Sequence, residues 1–333
     1  MTLLSLPEPD ARVIGRRSLI SEGLARLVGR ESLILDEDGR RAYETDALTA
    51  YRRVPLLVVL PRTTEDVSKV LRYCNENKLK VVPRGAGTSL CGGALPGEDT
   101  VVVCVSKMNR FLDVDYVNRT ARVEAGITNL AISGKVAAQD YFYAPDPSSQ
   151  LACTLAGNLA MNSGGAHGLK YGVTTNNVLG LKMVLIDGTV VEFGGGHLDA
   201  AGYDFLSLII GSEGQFGILT EATVRILKKA EGARPMLIGF NSSESAGACV
   251  SGIIGAGIIP VAIEFMDKPA IHVCEAFAKA GYPLDVEALL IVEVEGSEAE
   301  IEDLLGRIAA IARKFDPKSI EISKDADQSA QIW

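Results

Sequence analysis

Three glycine-rich stretches constrain this chain more than any other feature. "VVPRGAGTSLCGGALPG" (Val81–Gly97) holds five glycines and two prolines, with Arg84 its one charged residue. "PDPSSQLACTLAGNLAMNSGGAHGLKYG" (Pro145–Gly172) and "GSEGQFGILT" (Gly211–Thr220) follow. Glycine tolerates positive φ and lets another group approach the main chain closely. Successive amide N–H groups in such turns form concave nests for anions. One such stretch alone reads as a mobile surface loop or a helix-to-strand turn. Three of them, each joining regular elements, fit a long cofactor laid across a domain junction.

The 333 residues are enough for about two domains at the usual ~100–200 residues each, and 47% hydrophobic residues supply their cores. A formal net charge of −9 argues against a nucleic-acid partner, whose phosphates need clustered Lys and Arg. No apolar run reaches the ~18 residues of a membrane span. The N-terminus, "MTLLSLPEPDARVIGRR", lacks the basic-then-apolar order of a signal peptide. A cytoplasmic location follows as the expectation. The six cysteines (Cys74, Cys91, Cys104, Cys153, Cys249 and Cys274) form no C-x-x-C pair, so buried reduced thiols are expected in place of disulfides or zinc. Cys91 and Cys153 in particular read as small packing residues. The histidines His167, His197 and His272 lack metal-ligand spacing, so no metal site is expected.

Residues 1–53 form an N-terminal segment. "VPLLVVLP" (54–61) reads as a buried strand, and "TTEDVSKVLRYCNENK" as a helix opened by Thr63 or Thr64. Lys80-Val81-Val82 reads as a strand ended by Pro83, and "TVVVCVSKM" as another strand. The first glycine-rich loop thus sits at a strand's carboxyl end, where ligands commonly bind in open α/β sheets. From 111 to about 230 the pattern becomes α+β. It has a turn at Asn118-Arg119, a helix near 128–139, an Asp187-Gly188 hairpin and a helix–loop–strand over "YDFLSLIIGSEGQFGILTEATVRIL". From about Arg234, four strands alternate with helices near 243–256, 270–280 and 297–314. That order predicts a separate α+β domain with its helices on one face of a sheet. "DADQSAQIW" offers a helix cap and stops at Trp333, so the polypeptide is expected to be truncated.

Two common phosphate-binding motifs fail. Gly85-Ala86-Gly87-Thr88-Ser89-Leu90 has Leu90 where a Rossmann fingerprint needs its third glycine, and no Gly-Lys-Ser/Thr of a P-loop follows. The order and wording of the three stretches instead resemble the FAD-linked oxidases of the vanillyl-alcohol oxidase/p-cresol methylhydroxylase (PCMH) fold. Within that family the likeness is to bacterial glycolate oxidase D subunits and D-lactate dehydrogenases, and it covers essentially the whole chain. "PRGAGTSLCGGALP" resembles the pyrophosphate loop, "NLAMNSGGAHGLKYG" the flavin-side segment and "GSEGQFGILTE" the third signature. "GIIPVAIEFMD" and "AGYPLDVEALLIVEVEG" resemble the cap, or substrate, domain.

The resemblance implies an α+β architecture: a two-subdomain FAD-binding domain of the PCMH type over 54–230 (54–110 and 111–230), then an incomplete cap domain over 234–333 with a mainly antiparallel sheet. It implies FAD, held by Pro83, Arg84, Gly85, Ala86, Gly87, Thr88 and Ser89 at the diphosphate. Pro145, Thr154, Ala156, Gly157, Asn162 and Gly164 fall on the flavin side, and Glu213, Gly214, Gly217 and Ile218 at the other end. Arg84 reads either as a phosphate contact or as a solvated loop charge, and His167 more readily as structural than as chemical. Relatives that attach FAD covalently do so through a His in the first loop. Thr88-Ser89-Leu90 stands there, so FAD is expected to be non-covalent. The implied reaction is oxidation of a small 2-hydroxy acid, glycolate or D-lactate, with hydride transfer to flavin N5. An iron–sulphur electron-transfer subunit is the implied partner, with peripheral attachment at the inner face of the membrane through partner subunits. The family's carboxylate-binding Arg and His-rich motifs fall downstream of the Trp333 equivalent, so no catalytic residue is assigned. A non-catalytic or decayed FAD-binding module, and a flavoenzyme of the same fold for another substrate, are the alternatives.

Overall fold

The computed structural model describes residues 6–195 and 202–333; His197 lies outside the described residues. They fold as two compact units, one of residues up to 163 with 173–227, the other of 164–172 with 228–333.

The first unit has two main sheets. One is four-stranded, in the order Leu33–Ile34, Leu57–Val59, Thr100–Cys104, Lys80–Arg84. The last three strands run parallel and the first antiparallel. Parallel neighbours need a crossover, and the Thr64–Glu76 helix supplies it. Thr63 caps this helix by accepting from Asp66 N–H at 3.1 Å, and Val67, Val70, Leu71 and Cys74 are its buried face. Burial pushes the Cys74 thiol up to about 12, which leaves it an inert packing group. Ile20 and Leu24 of the Arg17–Val28 helix enter the same core, so the N-terminal segment is integral to this unit.

The strand expected to end at Pro83 runs on to Arg84. It lies at the sheet edge, where alternate amides face no partner and a residue without N–H is tolerated. The second sheet is five-stranded and antiparallel, in the order Phe111–Asp115, Thr120–Glu124, Ile218–Arg225, Val178–Val184, Val190–Gly194. The Asp187-Gly188 hairpin forms as expected, with Gly188 at φ +84° and Asp187 Oδ1 accepting from Thr189 N–H at 2.8 Å. Helices Asn129–Val136 and Leu155–Met161 pack Ile132, Val136, Leu155 and Leu159 into this sheet's core.

The second unit carries one antiparallel sheet, ordered Ala262–Asp267, Ala288–Gly296, Gly232–Phe240, Ser319–Ile322. Helices Ser243–Gly255 and Glu298–Ala312 cover one face through Ala246, Cys249, Ile253, Ile301, Leu305 and Ile308. The expectation of helices on one face only is incorrect. Ile271 of Lys268–Ala278 and Ile332 of Ala326–Ile332 pack on Leu237, Leu289 and Ile291, which project from the opposite face. The unbroken apolar run Ala288–Val292 is the reason, because a strand buried on both faces has no polar alternate positions. The closing "DADQSAQIW" forms a helix that Asp325 caps, accepting from Gln328 N–H at 2.8 Å.

Phe240 is fully buried in this unit, whereas Phe277 is 92% exposed. Phe240→Ala should destabilise the second unit by about 3–5 kcal/mol, and Phe277→Ala should stay within about 0.5 kcal/mol. Urea unfolding followed by the fluorescence of Trp333, the chain's one tryptophan, reads both.

Candidate functional site

A pocket of about 330 Å³ in the first unit is lined by parts of all three glycine-rich stretches. The first stretch begins where the Lys80–Arg84 strand ends and contributes Pro83, Arg84, Gly85, Ala86, Gly87, Thr88 and Ser89. The second contributes Thr154, Ala156 and Gly157, and the third Glu213, Gly214, Gly217 and Ile218. Three expected site residues are not among its lining residues. Pro145 is buried, with its carbonyl accepting from Asn129 Nδ2 at 3.0 Å. Asn162 is the left-handed cap of the Leu155–Met161 helix, its Oδ1 accepting from Thr175 N–H. Gly164 belongs to the second unit.

The main-chain N–H groups of Ala86, Gly87, Thr88, Ser89 and Leu90 donate to no acceptor among the described residues, whereas those of Cys91 and Gly92 are taken by Ser89 Oγ and Asp46 Oδ2. Five consecutive donors beside a pocket are thus available to a bound acceptor. The first turn of the Leu155–Met161 helix does not compete for that role. Its Leu155 and Ala156 amides bond to Ile127 O and Ala125 O, and its Gly157 amide to Thr154 Oγ1.

Two glycines of the first stretch are required by the protein itself. A side chain at Gly85 would overlap Thr154 Oγ1, and one at Gly87 (φ +74°) would collide with the Arg84 guanidinium. The close approach at Gly87 is therefore to a protein side chain. Arg84 is not solvated: it is 9% exposed, its Nη1 donates to Thr45 O at 2.8 Å and Ala94 O at 3.2 Å, and it lies 5.4 Å from the Tyr43 ring centroid. No carboxylate contacts it within the described residues, and burial lowers its pKa from the ordinary value.

Beside Cys153, buried as expected of a packing residue, the pocket is lined by residues that the sequence did not single out. Asn158 and Cys153 line it, and Asn158 Oδ1 accepts from Asn129 Nδ2 at 3.1 Å. All three are buried, and their pairing satisfies polar groups that would otherwise destabilise the interior. Leu90 and Met161 add apolar surface. No sequence pattern marks them, because their roles depend on which strands the helix meets. Cys91 also lines the pocket, yet it is exposed and so not the packing residue expected; Cys274 is half-buried. His167, by contrast, sits in the second unit with Nε2 3.3 Å from Glu293 Oε2. No group of three or more His, Cys, Asp or Glu among the described residues is arranged to hold a metal. The ionisable side chains lining the pocket are Arg84, Cys91, Cys153 and Glu213.

Comparison with known proteins finds two family matches along the chain. The FAD binding domain family matches residues 55–194, and the family of C-terminal domains of FAD linked oxidases matches 229–333. The chain is 44% identical over 291 residues to the glycolate oxidase subunit GlcD of Escherichia coli (strain K12), covering 87% of this chain and 58% of that protein. It is 34% identical over 298 residues to the D-lactate dehydrogenase of Archaeoglobus fulgidus, covering 89% of this chain and 66% of that one. The chain thus spans less than two thirds of the length of either relative. The structure of p-cresol methylhydroxylase with substrate bound aligns with a TM-score of 0.81 at 16% identity, over 96% of this chain and 69% of its own. That match establishes the fold.

Gly87→Ala should destabilise the first unit by about 1–3 kcal/mol, through the positive φ and the collision with Arg84. Gly134→Ala, in the Asn129–Val136 helix where an added Cβ meets open space, should be neutral or stabilise by up to about 1 kcal/mol. Thermal melts of the two variants check the contrast.

Proposed function

The chain belongs to the FAD-linked oxidase family, and on that premise we propose that its first unit binds FAD non-covalently as part of an oxidoreductase for a small 2-hydroxy acid. The observation that carries the assignment is the run of free amides from Ala86 to Leu90 beside the pocket. A diphosphate supplies acceptors for that run without requiring a bulky cation. The buried Arg84 guanidinium, hydrogen-bonded to the Thr45 and Ala94 carbonyls and packed on the Tyr43 ring, adds positive charge next to it. Thr154, Ala156 and Gly157 take the flavin and ribityl side, and Glu213, Gly214, Gly217 and Ile218 the other end. Residues 54–230 are the cofactor domain and 234–333 the cap.

When bound, FAD would supply a two-electron oxidant, with flavin N5 as the hydride acceptor for the α-carbon of a 2-hydroxy acid such as glycolate or D-lactate. This chain's residues in the pocket bind and orient. Arg84, the one cationic side chain lining the pocket, is engaged by carbonyls, so the pocket's own side chains include no free cation to clamp a substrate carboxylate. None of them is a histidine positioned to take the hydroxyl proton. Reoxidation of bound flavin would fall to an iron–sulphur electron-transfer subunit. No helix among the described residues is long and apolar enough to cross a membrane, and the reading places the chain in the cytoplasm, attached to the inner membrane face through partner subunits.

Acid precipitation of purified protein should release its yellow chromophore into the supernatant, consistent with Thr88-Ser89-Leu90 in the first loop. Flavin retained in the pellet overturns the non-covalent assignment, and a protein that takes up no FAD overturns the cofactor.

Anaerobic mixing of the 333-residue polypeptide with glycolate or D-lactate should leave the flavin band largely unbleached. Lack of a positioned base alone slows such steps by about 10²–10⁴-fold. Rapid bleaching in a stopped-flow experiment would show that residues within this chain carry the proton transfer.

A further inference from the structure

The segment Tyr43–Ala47 lies outside all three glycine-rich stretches, yet it holds the first of them. The Tyr43 ring packs on the Arg84 guanidinium, and Thr45 O accepts from Arg84 Nη1 at 2.8 Å. Asp46 Oδ2 accepts from Gly92 N–H at 2.7 Å, and Ala47 N–H donates to Ser89 O at 3.1 Å. Asp46 is 5% exposed, and its other oxygen accepts from Leu48 N–H at 3.0 Å. The loop is thereby fixed through the Ser89 carbonyl and the Gly92 amide, while the amides of Ala86–Leu90 between strand and brace stay free.

We propose that Asp46 is a positioning residue for this anion cradle, its carboxylate holding the loop in the binding arrangement before any ligand arrives. The proposal rests on the assignment of the cradle to the diphosphate of FAD. A loop with glycines at 85, 87, 92 and 93 has large conformational freedom, and fixing it on binding costs entropy residue by residue. A brace that orders the loop in the free protein removes that cost from binding. The buried carboxylate is suited to the task because both oxygens accept main-chain N–H groups from separate segments. An asparagine offers one acceptor oxygen and turns an NH₂ toward the other N–H, so shape alone does not replace it.

The test compares the full chain with Asp46→Asn and Asp46→Ser, with Asp113→Asn, at an exposed position, as control. FAD affinity is read by flavin fluorescence, stability by melting of the flavin-free protein, and loop order by thermolysin nicking before Leu90, which is 65% exposed. Both Asp46 variants should bind FAD about tenfold or more weakly and nick severalfold faster at Leu90, with Asp113→Asn unchanged in both. Wild-type FAD affinity in either variant, or unchanged nicking, overturns the brace. Failure of both variants to fold assigns Asp46 to general stability and also overturns it. A wild-type chain that binds no FAD defeats the cofactor assignment instead, and nicking then decides the brace on its own.

Discussion

One short helix, Leu155–Met161, is where the three glycine-rich stretches meet, and the pocket depends on its being immobile. Leu155 and Leu159 are fully buried in the core of the five-stranded sheet. Its N-cap, Thr154, is in contact with Gly85 of the first stretch. Near its other end the carbonyls of Leu159 and Ala160 accept from the amides of Gly211 and Glu213 in the third stretch, each at 2.8 Å. Apolar packing behind the helix therefore sets the spacing of all three stretches in front of it. Interiors packed at crystal-like density do not deform continuously, so a pocket built this way is held to its shape by the core behind it, to which its lining residue Leu219 also belongs.

Burial also explains the charge distribution. A buried guanidinium is costly unless its donors are satisfied, and Arg84 meets that demand with the Thr45 and Ala94 carbonyls and the Tyr43 ring. Neutral partners satisfy its donors without cancelling its charge. The positive field remains beside the free amides of Ala86–Leu90, in a chain whose net charge is −9. The site is of mixed charge, since the Asp46 carboxylate braces the same loop and Glu213 lines the same pocket.

Legibility in the sequence followed the range of the interactions. Elements set by local periodicity and capping were readable: the Thr64–Glu76 helix from Thr63 and its apolar spacing, the hairpin from Asp187-Gly188, and the strands of the second unit from their β-branched runs. The first and third stretches were also readable as pocket walls, since glycine content marks close approach. What could not be read came from partners far apart along the chain. Asp46 meets Gly92 across 46 residues, and Asn129 meets Asn158 across 29. The reason for Gly87 was equally hidden, because the group it accommodates is Arg84, whose direction depends on the fold of residues 43–46.

The second unit carries the same lesson in its sheet. "VEVEG" (292–296) alternates as though one face were buried and the other solvated. Glu293 is nevertheless 7% exposed: Trp333 Nε1 donates to its Oε1 at 2.8 Å, and His167 Nε2 lies 3.3 Å from its Oε2. Glu295, two residues on and on the same face, pairs with Lys170 Nζ at 2.8 Å and accepts from the Tyr171 hydroxyl. A carboxylate withdrawn from water needs such partners, and here they come from 164–172 and from the last residue of the chain. The face that begins apolar at Leu289 and Ile291 therefore continues as a polar seam. Its alternation encodes a docking line for a distant segment of the same chain, a meaning that period-two patterning alone does not distinguish from solvent exposure.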